Sequence, residues 1–167
     1  MIIRNVKVMD IDAIIKYEKL TAQTPGFLVS IPDELTPVYY QKLIASSDID
    51  LIFFIAENEK QVVGHAYLLP MPLKALSHVY RLTIVIHPNH VNQGIGKLLM
   101  DTLMKAAREK DKINKIESLV RSSNKRAIHL YEKYGFKTEG ILKKRIRLSE
   151  SEFLDDITMG WFSDIIA

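Results

Sequence analysis

Two glycines, in Gln93-Gly94-Ile95-Gly96, stand between an apolar, β-branched run and a stretch of helical periodicity. The run, Leu82 to Ile86, is ended by His87-Pro88, and Ile95, Leu98, Leu99, Leu103, Ala106 and Ala107 then recur at helical spacing. Strand, turn and helix in that order aim several backbone N–H groups, and the positive end of a helix dipole, at one spot that suits a phosphate. Gly94 and Gly96 lack a Cβ, so a ligand can touch the backbone there. The same residues read equally as a tight strand-to-helix connection. Neither common nucleotide motif is met. Leu98 and Leu99 follow the second glycine, against G-x-G-x-x-G. Gly96-Lys97 runs into Leu98, where a phosphate loop needs Ser or Thr.

Other chemistries are narrowed by composition. There is no cysteine, hence no disulfide framework, no thiolate metal site and no thiol nucleophile. His65, His78, His87, His90 and His129 show no metal-ligand spacing, so no metal is expected. The formal charge is +3 and the basic residues are scattered, with one denser run at Lys143–Arg147 that reads as the solvated face of a strand. No nucleic-acid motif is present, and no long uncharged apolar span suggests a membrane segment. With 167 residues, 47% of them apolar, the chain fits one globular domain over residues 1–167, expected in the cytoplasm.

The elements that must position the turn follow from periodicity. Residues 2–8 alternate as a strand. Asp10 is placed to cap a helix over residues 11–22, whose apolar stripe is Ile11, Ile14, Ile15 and Leu20. Residues 23–36 read as a loop, and a second helix follows Thr36-Pro37. Strands are expected at 50–57, 61–69 and 77–86, with Gly64 marking a bulge or a close approach. A helix from about Gln93 to Lys110 carries Asp101 and Lys105 four apart, a favourable surface pair. Residues 115–121 form a strand parallel to 77–86. Ser122 or Ser123 caps a helix over 124–134, Gly135 sits just past its end, and 136–147 and 152–162 close as a hairpin.

VIHPNHVNQGIGKLL together with KIESLVRSSNKRAIHLYEKYGFKTEG closely resembles the GNAT superfamily of acetyl-coenzyme A-dependent N-acetyltransferases, over roughly residues 50–162. The first block resembles its coenzyme motif, (Arg/Gln)-x-x-Gly-x-(Gly/Ala). The second resembles its later motif of strand, Asn, helix and Gly-Phe. Val91 departs from the usual Arg or Gln, and Asn92 from a frequent Gly. The resemblance implies a mixed α/β, mostly antiparallel sheet with a splayed parallel pair at its centre and about four flanking helices. It also implies acetyl-CoA as co-substrate and a small-molecule or peptide amine as acceptor.

Site residues follow from the same resemblance. The coenzyme arm would pair with backbone at Ile84, Val85 and Ile86, and its pyrophosphate would sit on amides of Asn92, Gln93, Gly94, Ile95, Gly96 and Lys97. Asn124 matches a pantetheine contact, with helix capping as its other reading. Tyr131 matches the acid that protonates the departing thiolate. By spacing alone Tyr131 is a core residue beside Ala127 and Ile128. Tyr134 reads as packing. Residues 77–86 contain no carboxylate to act as base, so His78 is the first candidate, with an exposed histidine at a strand start as the alternative. Phe27 and Tyr80 are candidates for the acceptor wall, as are Tyr39 or Tyr40, each also able simply to pack on the sheet. In the tail FLDDITMGW, Phe153, Asp155 and Met159 share a strand face, and Asp155 would contact the amine or serve a structural bond. Ile165-Ile166 is a candidate contribution to a homodimer. The function expected is acetyl transfer to a primary amine by direct attack in a ternary complex. A non-catalytic acyl-CoA sensor is the alternative.

Overall fold

The computed structural model describes residues 1–24, 28, 30–46 and 48–164. A seven-stranded sheet runs β1-β2-β3-β4-β5-β7-β6. Its strands are β1 (Ile2–Asn5), β2 (Ile52–Asn58), β3 (Gln61–Pro70), β4 (Val79–Ile86), β5 (Lys115–Arg121), β6 (Lys137–Arg147) and β7 (Phe153–Phe162). All neighbours are antiparallel except β4 and β5. The four α-helices are α1 (Ile11–Ala22), α2 (Pro37–Ala45), α3 (Ile95–Arg108) and α4 (Lys125–Lys133).

Period-two alternation gives the sheet two apolar faces, and each takes a pair of helices. One face carries Leu68, Tyr80, Leu82, Ile116 and Val120 against Ile95, Leu99 and Leu103 of α3 and Tyr131 of α4. The other carries Phe53, Ile55, Tyr67 and Val85 against Ile11, Ile14 and Tyr17 of α1 and Tyr40 and Leu43 of α2. At Gly64, Ala56 faces Gly64 while Glu57 faces Val62, so Val63 bulges out of the β2–β3 ladder. A Cβ on Gly64 would stand 3.0 Å from Ile86 and 3.2 Å from the Val85 carbonyl, so the bulge and the close approach coincide.

Three local expectations are corrected. Helix α3 begins at Ile95, because Asn92 and Gly94 are left-handed and Gln93 lies between them. Asp101 pairs backward with Lys97 at 2.7 Å rather than forward with Lys105. The cap of α4 is Asn124 itself, whose Oδ1 accepts the Ala127 N–H at 3.1 Å, and not Ser122 or Ser123.

The feature that makes a site is a break in the sheet. Strands β4 and β5 pair only from Val79↔Lys115 to Arg81↔Glu117. Beyond that, β4 continues on β3 as far as Gly64↔Ile86, and β5 continues on β7 as far as Arg121↔Asp156. The sheet therefore opens into two arms, and a cleft of about 1490 Å³ runs through the opening.

Candidate active site

The β4 arm offers unpaired backbone to the cleft. His87 N–H donates to the Val63 carbonyl, and the Val79 carbonyl accepts from Met71 N–H. Odd-numbered residues of β4 thus turn their backbone to β3. By alternation, Leu82, Ile84 and Ile86 turn theirs toward the missing strand. Val85, expected with Ile84 and Ile86 along the coenzyme arm, instead directs its backbone to β3 and buries its side chain against α1 and α2.

Next in the chain comes the glycine turn. Asn92 and Gly94 have φ of 65° and 78°. Asn is among the few residues with a Cβ that enter this region readily, which explains how it stands where the family often has Gly. Among the described residues, no backbone N–H of positions 91–97 donates a hydrogen bond. Those of Ile95, Gly96 and Lys97 belong to the first turn of α3, which has no intrahelical acceptors for them. Ile95 is held in the core, and a Cβ on Gly96 would press on Leu130 of α4 at 3.3 Å. Tyr134 does more than pack: its hydroxyl donates to Asp101 at 2.6 Å and lies 3.0 Å from the Lys97 carbonyl, tying α4 to the start of α3. The result is a concave, donor-rich surface suited to a pyrophosphate.

Across the cleft stand Asn124 and Tyr131. With Oδ1 of Asn124 spent on its cap, the amide NH₂ remains to donate. Tyr131 is buried against Phe136, and burial pushes its phenol up to about 12, so it stays protonated. The Ser118 hydroxyl is buried beside it and opposes that upward shift.

The opposite face holds a group that the sequence reading passed over. Glu18 of α1 is 3% exposed and lines the cleft. Its Oε1 accepts from the Tyr40 hydroxyl at 2.7 Å and lies 3.4 Å from His65 Nε2. Its Oε2 is buried without a partner among the described residues. His65 is fully buried, and burial holds it down to about 3, so it is neutral and gives Glu18 no counter-charge. The Tyr17 hydroxyl meets His65 Nδ1. Burial raises the Glu18 carboxyl to about 7, against the Tyr40 hydrogen bond, which favours the ionised form. A signal was available: Glu18 falls seven residues after Ile11 and four after Ile14, in the phase of the apolar stripe.

Farther along the cleft, Arg121 of β5 pairs with Asp156 of β7 at 2.5 Å, and Asp156 also pairs with Arg145 of β6 at 3.2 Å. All three line the opening.

Three expected residues lie elsewhere. His78 precedes β4 at the closed end of the strand pair, where its carbonyl receives the N–H groups of Asn114 and Lys115, and it is not among the cleft's lining residues. Tyr80, expected at the acceptor wall, has an even β4 position and therefore points to the α3 face. It is 1% exposed there, and its hydroxyl donates to Asp50 at 2.8 Å. Asp50 is itself held well below the usual carboxylate range, against its own desolvation, by hydrogen bonds from Lys110 and Lys112. Asp155 faces away from the cleft and takes up the structural bond, accepting from Lys144 N–H at 2.8 Å and Lys143 Nζ at 2.9 Å. The next residue, Asp156, is the one that faces the cleft. Tyr39 and Tyr40 both line it, whereas Phe27 and Ile165-Ile166 fall outside the described residues. Among the described residues, no group of three His, Cys, Asp or Glu is placed to hold a metal. No helix there is long and apolar enough to cross a membrane.

Known proteins share this fold. The sequence pattern of the Acetyltransferase (GNAT) family matches residues 17–136. An N-alpha-acetyltransferase of Sulfurisphaera tokodaii is 30% identical over 162 residues, covering 91% of this chain and 89% of its own. The L-amino acid N-acetyltransferase AaaT of Escherichia coli is 26% identical, with 93% of each chain covered. A ribosomal-protein-alanine N-acetyltransferase from Brucella melitensis superposes with a TM-score of 0.85 at 25% identity, over 98% of this chain and 100% of its own. With its split strand pair, its donor-rich glycine turn and these relatives, the chain belongs to the GNAT acetyltransferase family.

Proposed function

We propose that this protein moves the acetyl group of acetyl-CoA to a primary amine by direct attack, with both substrates bound together. The observation that carries the reading is the three-pair contact of β4 with β5. It leaves the Leu82 carbonyl and the Ile84 and Ile86 backbone facing the opening, beside the unpaired amides of residues 92–97. An extended pantetheine arm can lie along the first, and a pyrophosphate can rest on the second. A free β4 amide then donates to the thioester carbonyl as negative charge develops on it.

In the step itself, the amine nitrogen bonds to the acetyl carbon and the C–S bond breaks. The Tyr131 phenol proton goes to the departing thiolate. Glu18 takes the proton shed by the acceptor, directly or through one water, in the role first assigned to His78. A carboxyl near 7 is matched to that task at neutral pH. With no cysteine in the chain, no acetyl-thiol intermediate on the protein competes with direct transfer. One relative is an N-alpha-acetyltransferase by name and another an L-amino acid N-acetyltransferase, and an α-amine is the acceptor favoured here.

Calorimetric titration with acetyl-CoA, in wild type and Gly94→Asp, is the first test. Micromolar binding that is lost in the mutant supports the coenzyme site. CoA release with an amine panel, and intersecting initial-velocity lines, support transfer in a ternary complex. Tight binding without turnover on any amine favours the non-catalytic sensor.

A further inference from the structure

We infer that Arg121 and Arg145 form a subsite for a carboxylate on the acceptor, so that the amine acetylated is that of a free amino acid. The inference rests on the transferase reading above and narrows its substrate.

Three observations converge. First, the cluster has a charge excess. Two guanidinium groups share the single carboxylate of Asp156, and among the described residues no second carboxylate pairs with either. Arg121 is 7% exposed and Asp156 1%. The buried Arg121–Asp156 pair is neutral, and the second guanidinium, on half-exposed Arg145, leaves the cluster one unmatched positive charge at the cleft wall. Second, Arg121 Nε is buried with no hydrogen-bond partner among the described residues, so a donor of the fork stands unmet. A carboxylate is the planar, two-oxygen acceptor that such a fork fits.

Third, the cluster is on the correct face. Glu117 is level with Arg81, and alternation then puts Leu119 and Arg121 on the side of Thr83 and Val85, where α1 and α2 pack. The coenzyme phosphates are drawn to the turn at Gly94. The nearby acidic side chains do not complete the cluster. Glu34 accepts the Ile31 N–H within its own turn, and Glu18 is engaged with Tyr40. Glu18 and Arg121 line the same cleft, so an amine drawn to the first and a carboxylate drawn to the second share one cavity. A protein N-terminus would bring a neutral peptide carbonyl to that end, and a polyamine would bring a second cation.

The test uses matched pairs: leucine and leucinamide, methionine and methioninamide, phenylalanine and phenylalaninamide, with spermidine as a cationic control. Each is titrated calorimetrically into the CoA-loaded full chain and then assayed for CoA release from acetyl-CoA. At least one acid is expected to bind ten times or more tighter than its amide, and spermidine to bind worst. Arg145→Gln is the variant of choice, since this side chain is half-exposed. It should reduce the acid-to-amide ratio severalfold and leave acetyl-CoA affinity unchanged. Amides equal to or better than acids in every pair, or no acid bound at all, overturns the subsite. Acid preference in binding without turnover keeps the subsite and removes the transferase reading. Turnover without acid preference does the reverse.

Discussion

Replacing Glu18 by Gln separates the proposed base from every other part of the site. Gln keeps the volume and can still accept from Tyr40, but it cannot take a proton. An α-ammonium with a pKa of about 8 is free amine in about one molecule in ten at pH 7, a cost of about 1.4 kcal/mol. In the wild type, the reactive pair is ionised Glu18 with the ammonium. The rate constant kcat/KM should therefore rise tenfold per pH unit up to about 7, where Glu18 titrates, and then stay level until the amine itself titrates. In Glu18→Gln only the free amine reacts, so kcat/KM climbs tenfold per unit through 7 and levels only where the amine itself titrates. The deficit at pH 7 should be about 10²–10⁴-fold, typical of a lost general base, and should shrink toward pH 10. The assay is CoA release at saturating acetyl-CoA from pH 5.5 to 10. Parallel profiles, or a break near 7 that survives in Glu18→Gln, would refute the assignment.

Other outcomes follow from the same geometry. The folded pKa of Glu18 lies above its ordinary 4.5, so the stability held by its protonated form is present below 4.5 and lost as pH rises through about 7. Thermal melts of Glu18→Gln should gain on wild type between pH 4.5 and 8, by up to about 3 kcal/mol, and a constant difference would count against the shift. Tyr131→Phe should lower kcat by about 10²-fold, the scale of a lost acid, with acetyl-CoA affinity unchanged. An equal loss of affinity would assign Tyr131 to packing. Asn124→Asp keeps the cap of α4 and removes the NH₂. Wild-type melting with weakened acetyl-CoA binding supports the ligand role, whereas unchanged binding leaves Asn124 as a cap alone.

The fold was legible where pattern and period agree. The run Leu82–Ile86, the glycine turn and the stripe of α3 define strand, turn and helix without help from the rest of the chain. Asn124 and Tyr131 could be placed because α4 follows directly on β5. What failed was facing. Tyr80 and Thr83 sit on one strand, and only the register with β3 and β5 says that the former points to α3 and the latter to α1. The same parity separates Asp155 from Asp156. Glu18 and Arg121 were missed for a different reason. A charged residue on an apolar face is an anomaly in one dimension and becomes a site only when elements far apart in sequence, here α1, α2, β3, β6 and β7, close around it.

The opening between β4 and β5 has a consequence for the life of the protein in a cell. A sheet whose two halves are joined by three residue pairs lacks part of its own ladder, and an extended pantetheine replaces it as a borrowed strand. Ligand binding then contributes directly to folding stability, by RT ln(1 + [L]/Kd), or about 2.7 kcal/mol at a hundred times Kd. Amides along Leu82–Ile86 should exchange with solvent faster without the coenzyme than with it. When the coenzyme is scarce, the unfilled protein opens there first and meets proteases sooner, so the abundance of this chain would track the supply of its own acyl donor.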